Sequence, residues 1–223
     1  TISGLGNEAI TLTDTTLAAS VLNTLDGNTT GVVNAGTVTT LTGLGEDINN
    51  AYAANTAGTI SGLANEAITI TDLTIDGSVL NAVDANTSGV VNASAVTTLS
   101  GALADINTAY SANGSGTISG LGDEIISFSD TSAAASVLNT ADGNTSGLVN
   151  ATNLVTITGA TADVNTVYAS SGFSNLGNED VTISDTSVAA SVLSTLDGNT
   201  TGTVNANTLN TITGTAAEVL VAY

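Results

Sequence analysis

Thr1-Ile2-Ser3-Gly4-Leu5 returns as Thr59-Ile60-Ser61-Gly62-Leu63 and again, at the same spacing, as Thr117-Ile118-Ser119-Gly120-Leu121. A regular self-similar period marks a stacked-repeat architecture. The fourth copy arrives three residues early, so the repeats run 1–58, 59–116, 117–171 and 172–223. A finer period, half as long, lies inside: Thr11-Leu12-Thr13, Thr40-Leu41-Thr42, Thr69-Ile70-Thr71 and Thr98-Leu99-Ser100. It continues through Ser127-Phe128-Ser129, Thr156-Ile157-Thr158, Thr182-Ile183-Ser184 and Thr211-Ile212-Thr213. Each long repeat therefore holds two rungs.

Within the first rung, Ile10 to Thr13 alternates apolar and polar, as a strand with one buried face does. Leu17, Ala18, Val21, Leu22 and Leu25 then form one stripe of a short helix, with Asp14 or Thr15 expected as its N-cap. Asp26-Gly27-Asn28 stops the helix, and Val32-Val33 starts an extended stretch. The second rung reads Val38 to Thr42 as strand and Leu44 to Ala54 as helix, with Ile48 and Tyr52 on one face. Asn55 to Gly58 is a turn, and Thr59-Ile60 is extended again. Strand, helix and short strand in about 29 residues predict an α/β repeat solenoid whose rungs stack in parallel. An all-β solenoid is the alternative, given short helical stripes, abundant Thr and glycine-rich turns.

Composition narrows the chemistry. The chain has 223 residues, 20 Asp and Glu, and no Lys, Arg, His, Cys, Met, Pro or Trp. A first residue of Thr rather than Met leads us to expect a piece of a longer chain. Without imidazole, thiol or amine side chains, the usual bases and nucleophiles are missing. Without side-chain cations, nothing holds phosphate or nucleic acid, and a net charge of −20 repels both. No run of the sequence reads as a transmembrane segment. A mean hydropathy of +0.34 and low charge density argue against a disordered acidic tail. Adjacent carboxylates such as Glu46-Asp47 and Asp123-Glu124 rarely face one pocket, so we expect no enzyme.

Ser20-Val21-Leu22-Asn23-Thr24-Leu25-Asp26-Gly27-Asn28-Thr29-Thr30-Gly31 and its copies resemble repeats of very large secreted cell-surface proteins of marine cyanobacteria and related bacteria. Gly43 to Tyr52 and the Leu5-Gly6-Asn7-Glu8 run match that style. The resemblance spans the whole chain and implies an extracellular or cell-surface role in surface layers, adhesion or motility. It brings no catalytic residues.

Sixteen of the 20 acids fall in four columns: Glu8, Glu66, Glu124 and Glu179; Asp14, Asp72, Asp130 and Asp185; Asp26, Asp84, Asp142 and Asp197; Asp47, Asp105, Asp163 and Glu218. Carboxylates stacked without cations invite Ca²⁺. The best candidates are the Asp-Gly-Asn turns, with Asp26 and Asn28, Asp84 and Asn86, Asp142 and Asn144, and Asp197 and Asn199 as ligands. These turns are neither EF-hand loops nor calcium nonapeptides. The competing reading makes the acids helix caps and turn formers.

Three further columns carry weaker expectations. Thr-x-Thr pairs on every rung would form a hydroxyl lattice for ice, or simply good strand surface. Asn28, Asn86, Asn144 and Asn199 head glycan sequons, or turns. Tyr52, Tyr110, Tyr168 and Tyr223 read as packing residues rather than a polysaccharide platform. The composite expectation is a structural segment of an extracellular filament, surface layer or giant adhesin, self-associating head to tail or lying within a longer chain. A calcium-binding, ice-binding or cell-surface polysaccharide-binding module is the alternative.

Overall fold

Thr16-Leu17-Ala18 is where the local pattern and the tertiary structure part company. Its spacing suits a helix, yet in the computed structural model, which describes residues 2–223, it is a strand paired in parallel with Thr40–Gly43. The helix begins only at Ala19. Backbone pairing with the next rung outweighs a stripe of three turns, since most helical stability in proteins comes from packing.

Among the described residues the helices are α1 (Ala19–Asn28), α2 (Gly45–Ala57), α3 (Gly77–Asn86), α4 (Leu103–Ser115), α5 (Ala135–Asn144), α6 (Thr161–Ala169), α7 (Ala190–Asn199) and α8 (Ala216–Ala222). Short strands separate them and pair in parallel, which makes each of the compact units an α/β solenoid of stacked rungs. The chain divides into two units. The first runs to Leu99 and includes Thr108–Leu121; the second is Ser100–Asn107 with Gly122–Tyr223.

In the first unit, Ile10–Thr11, Val33–Asn34 and Ile60–Ser61 form one sheet in that order. A second sheet runs Thr16–Ala18, Thr40–Gly43, Ala67–Ile70, Val91–Asn92 and Ile118–Ser119. In the second unit, Ser132–Ala134, Thr156–Gly159, Asp180–Ile183 and Val204–Asn205 make one sheet, and Ser187–Ala189 pairs with Thr211–Thr213. Ile125–Phe128, Val149–Asn150 and Phe173–Ser174 also pair side by side.

The register contains a finding that the sequence period of the rungs conceals. Leu17 lies opposite Leu41, Leu41 opposite Ile68, Ile68 opposite Val91 and Val91 opposite Ile118. Each of these steps is shorter than the period, and short steps alternate with longer ones. The ladder therefore slides along the chain at each rung. Its apolar members stay inside: Leu41, Ile68, Val91 and Ile118 are all buried.

One consequence is that the Thr-x-Thr column does not stack on itself. Thr40 and Thr42 pair with Thr16 and Ala18 on one side and with Ala67 and Thr69 on the other. A hydroxyl row at this position is two threonines long, Thr42 beside Thr69, and Asn92 follows.

The second-rung helix follows its expected face more closely. Ile48, Ala51 and Tyr52 of α2 are buried. The helix continues through Asn55 to Ala57, so the expected turn is its last part. Gly58 caps it at φ 86, donating its N–H to Ala54 and Asn55 carbonyls. That left-handed geometry is open to glycine and strained for most other residues.

Candidate functional site

The acidic columns are a polar feature of the fold, and those of Glu66, Asp72 and Asp26 each have a distinct structural use. Glu66 is only 1% exposed. Its Oε2 accepts a hydrogen bond from the Tyr52 hydroxyl at 2.7 Å and from the Ala64 N–H at 3.0 Å. Its backbone carbonyl accepts from the Thr87 hydroxyl at 2.7 Å, and that hydroxyl in turn accepts from the Gly89 N–H at 3.0 Å. A Cβ on Gly89 would overlap the Glu66 carbonyl, so only glycine lets the next rung approach this closely.

The same node recurs in the second unit. Tyr168 donates to Glu179 Oε2 at 3.1 Å, and the N–H groups of Gly177 and Asn178 donate to the same oxygen at 2.9 and 3.2 Å. Thr200 donates to the Glu179 carbonyl at 2.6 Å. Burial pushes the hydroxyls of Tyr52 and Tyr168 above the usual phenol range. The hydroxyls of Thr87 and Thr200 act the other way, and the neighbouring carboxylates reinforce the rise. Tyr52 and Tyr168, which read as packing residues, are thus the hydrogen-bonding partners of Glu66 and Glu179.

The Asp14 column caps helices, but not the ones its position in sequence suggests. Asp72 Oδ2 accepts from the Gly45 N–H at the start of α2, 2.8 Å away on another rung. Asp130 does the same for Leu103 of α4 at 2.8 Å, and Asp185 for Thr161 of α6 at 2.7 Å. The residue before each of α1, α5 and α7 is alanine and gives no side-chain cap. The expectation that Asp14 or Thr15 caps α1 is therefore corrected, because Thr16–Ala18 intervenes as a strand. Carboxylates at helix N-termini satisfy orphan N–H groups and complement the helix dipole. The Thr161 N–H, and secondarily the Thr161 hydroxyl, hold the Asp185 carboxyl below its ordinary range, against the opposing pull of burial.

The candidate calcium turns are arranged as follows. Asp26 Oδ2 accepts from the Thr59 hydroxyl and Asp84 Oδ2 from that of Thr117, both at 3.1 Å. Asp142 Oδ2 accepts from Ser170 at 2.7 Å. Asp197 is exposed and lines a cavity of about 330 Å³ with Leu193, Val204 and Tyr223. The asparagines turn elsewhere. Asn86 donates to Asn49 Oδ1 at 3.1 Å, Asn144 to Asn107 at 3.2 Å and Asn199 to Asn165 at 3.3 Å, while Asn28 is exposed. Asp84 thus bonds to a later segment and Asn86 to an earlier one, although only Ala85 stands between them. Among the described residues no group of three or more carboxylates is placed to hold a metal ion. Asp26 and Asp84 each keep one buried oxygen, Oδ1, with no hydrogen-bond partner.

The asparagines of the even-numbered helices extend this stitching. Asn49 donates to the Val79 carbonyl at 3.2 Å, Asn107 to Val137 and Asn165 to Val192, both at 3.4 Å. Asn23 of α1 reaches the Asp47 carbonyl of α2 at 2.8 Å. One helix is so bonded to the next through amide side chains. At the sequons, the hydroxyl after the asparagine is taken by the glutamate carbonyls, at 2.6 Å for Thr29 to Glu8 and 2.7 Å for Thr145 to Glu124.

Sequence reasoning missed the glutamate–tyrosine pair and the asparagine ladder. A signal for the pair was present. Tyr110 and Glu124 repeat the sequence spacing of Tyr52 and Glu66, and the three-residue deletion falls between Tyr168 and Glu179. No model of a protein family, no curated protein and no solved structure matches this chain.

Proposed function

We propose that the chain is a structural repeat segment of an extracellular or cell-surface filament, surface layer or giant adhesin. Its task is length, stiffness and coverage. One observation carries the reading: the repeated polar side chains are spent on bonds between successive rungs. Glu66 holds Tyr52, Asp72 holds the start of α2, Asp26 holds Thr59, and Asn49 holds α3. A chain selected for a binding cleft concentrates its polar groups at one place, whereas this one distributes them at every rung. The resemblance to giant secreted bacterial proteins supports the surface location.

The test has two arms. Antibodies raised against the chain are expected to label intact, unpermeabilised source cells; labelling only after lysis refutes the surface role. Chains of two, three and four repeats are expected to unfold at progressively higher denaturant, since each added rung contributes a nearest-neighbour interface. Identical midpoints refute the stacking role.

A calcium-binding reading stands second, favoured by the unpartnered buried oxygens of Asp26 and Asp84. Thermal unfolding of metal-stripped protein at fixed ionic strength, with and without millimolar Ca²⁺, separates the two. A large rise in midpoint supports calcium sites, and an unchanged midpoint leaves the turns as structural.

A further inference from the structure

The connection after Tyr168 is three residues shorter than those after Tyr52 and Tyr110. The two longer ones are built alike. Their helices, α2 and α4, are 13 residues each and end on left-handed glycines, Gly58 at φ 86 and Gly116 at φ 88. Three residues after the tyrosine, an asparagine clamps a leucine backbone. Asn55 accepts from the Leu63 N–H and donates to the Leu63 carbonyl, both at 3.1 Å. Asn113 does the same for Leu121, both at 3.2 Å. Ile60 and Ile118 are fully buried opposite Val33 and Val91. Gly62 and Gly120 then take φ of 94 and 89, and a Cβ on either would overlap the backbone of Gly36 or Ser94.

Each of these features is weakened in the short connection. α6 has 9 residues and no glycine cap. Ser171 stands where Asn55 and Asn113 stand, and among the described residues no side chain clamps Leu176. Phe173 is only half-buried opposite Val149. Asn175 replaces the left-handed glycine at φ 64, and it carries the Cβ that the close approach excludes. Even asparagine, the most tolerant residue after glycine, is strained in this region. Tyr168 is less buried than Tyr52, and its bond to glutamate is 3.1 Å against 2.7 Å. Three kinds of tie remain besides that bond. Ser170 donates to Asp142 at 2.7 Å and Asn175 to Asn150 at 3.0 Å, and the N–H groups of Val149 and Ala151 reach the Gly172 and Ser174 carbonyls.

We infer that this joint, residues 169–178, is a built-in yield point: it opens locally before its counterparts at 53–65 and 111–123, while the rungs around it stay folded. Proteins open in cooperative pieces, and those with the fewest buried contacts open first. Every difference acts in the same direction and falls on one stretch. Under tension along the chain the same joint gives way first and adds length without unfolding its neighbours. The inference concerns the fold and stands whether or not the chain lies at a cell surface.

Residue-resolved amide hydrogen exchange of the full chain reads the opening. Val149 and Ala151 donate to the strand of the short connection, as Val91 and Ala93 donate to Thr117 and Ser119 of a long one. Protection factors at Val149 and Ala151 are expected to be at least about tenfold lower, the worth of one lost buried hydrogen bond. A graft controls for position along the chain. Ser111 to Gly120 replaces Ala169 to Asn175, which restores the three residues. Protection at Val149 and Ala151 is then expected to rise to the level of Val91 and Ala93. Asn175→Gly alone is expected to raise it severalfold. Equal protection of the two pairs in the wild-type chain overturns the inference, as does low protection that neither the graft nor Asn175→Gly raises. If circular dichroism finds the graft unfolded, Asn175→Gly decides alone, and unchanged protection overturns the inference.

Discussion

The Tyr52 hydroxyl reaches across a turn to the buried Glu66 carboxylate at 2.7 Å, and Tyr168 makes the same bond to Glu179 across a shorter one at 3.1 Å. The deletion shortens the connection and spares the bond. The pair is therefore a fixed joint between rungs around which loop length varies. Tyr52→Phe removes one donor from a buried carboxylate and leaves the ring in place. The expected cost is about 1 to 3 kcal/mol by denaturant unfolding. A double-mutant cycle with Glu66→Gln is expected to show coupling, because the two groups are in direct contact. Additive effects would mean that the bond contributes little.

The same joint sets an alkaline limit. Burial raises the hydroxyls of Tyr52 and Tyr168 above the ordinary value of 10.0, so the folded chain keeps these protons after the unfolded chain has lost them. Fewer protons bound in the unfolded state means that stability falls as pH rises. The contribution is intact below pH 10 and declines above it. The slope is at most about 1.4 kcal/mol per pH unit for each hydroxyl, and solvent screening reduces it for both. Urea midpoints between about pH 8 and pH 11.5 check this, a range that brackets the phenol titration of the unfolded chain. Tyr52→Phe combined with Tyr168→Phe is expected to flatten the alkaline limb.

At acid pH the limit lies with the carboxylate caps. Asp185 is held below its ordinary range chiefly by the Thr161 N–H. The unfolded chain takes up the proton first as pH falls, so the cap's contribution is complete above pH 3.8 and is lost as pH drops through the lower folded value. Asp185→Ala is expected to cost about 1 kcal/mol near neutrality, the usual worth of an N-cap, and to lose most of that penalty at low pH. An equal penalty at both pH values would assign the loss to packing.

How much of this was legible beforehand varies with the range of the interaction. The two-rung repeat, the α/β alternation and the buried face of Ile48 and Tyr52 followed from periodicity, which is local. The start of α1 did not. Leu17 and Ala18 sit at helical spacing, and only pairing of Leu17 with Leu41 makes them strand. The sliding register was hidden for a related reason. Columns that recur once per rung invite stacking of like on like, whereas the backbone pairs residues at shorter separations, Leu41 with Ile68 rather than with Ile70. The partners of Asp72 and Asn86, Gly45 and Asn49, lie on an earlier rung, beyond the reach of motif reading. Asp26 is the mixed case: its place on a turn was readable, and its bond to Thr59 was not.

Two glycine columns give the sharpest contrast within one repeat. Gly89 abuts the Glu66 carbonyl, and Gly147 and Gly202 abut Glu124 and Glu179 in the same way. Gly143, inside α5, has open space where a Cβ would go. Gly89→Ala must push a rung away from the glutamate backbone, and the expected loss is about 1 to 3 kcal/mol or more. Gly143→Ala meets no obstacle and replaces a poor helix former with the best one. It is expected to stabilise the chain by about 0.5 to 1 kcal/mol. The second repeat already carries this exchange, with Ala85 in α3 at the matching position. Denaturant midpoints of the two variants should move in opposite directions. A shared direction would show that rung spacing is not set by the glycine that faces the buried glutamate.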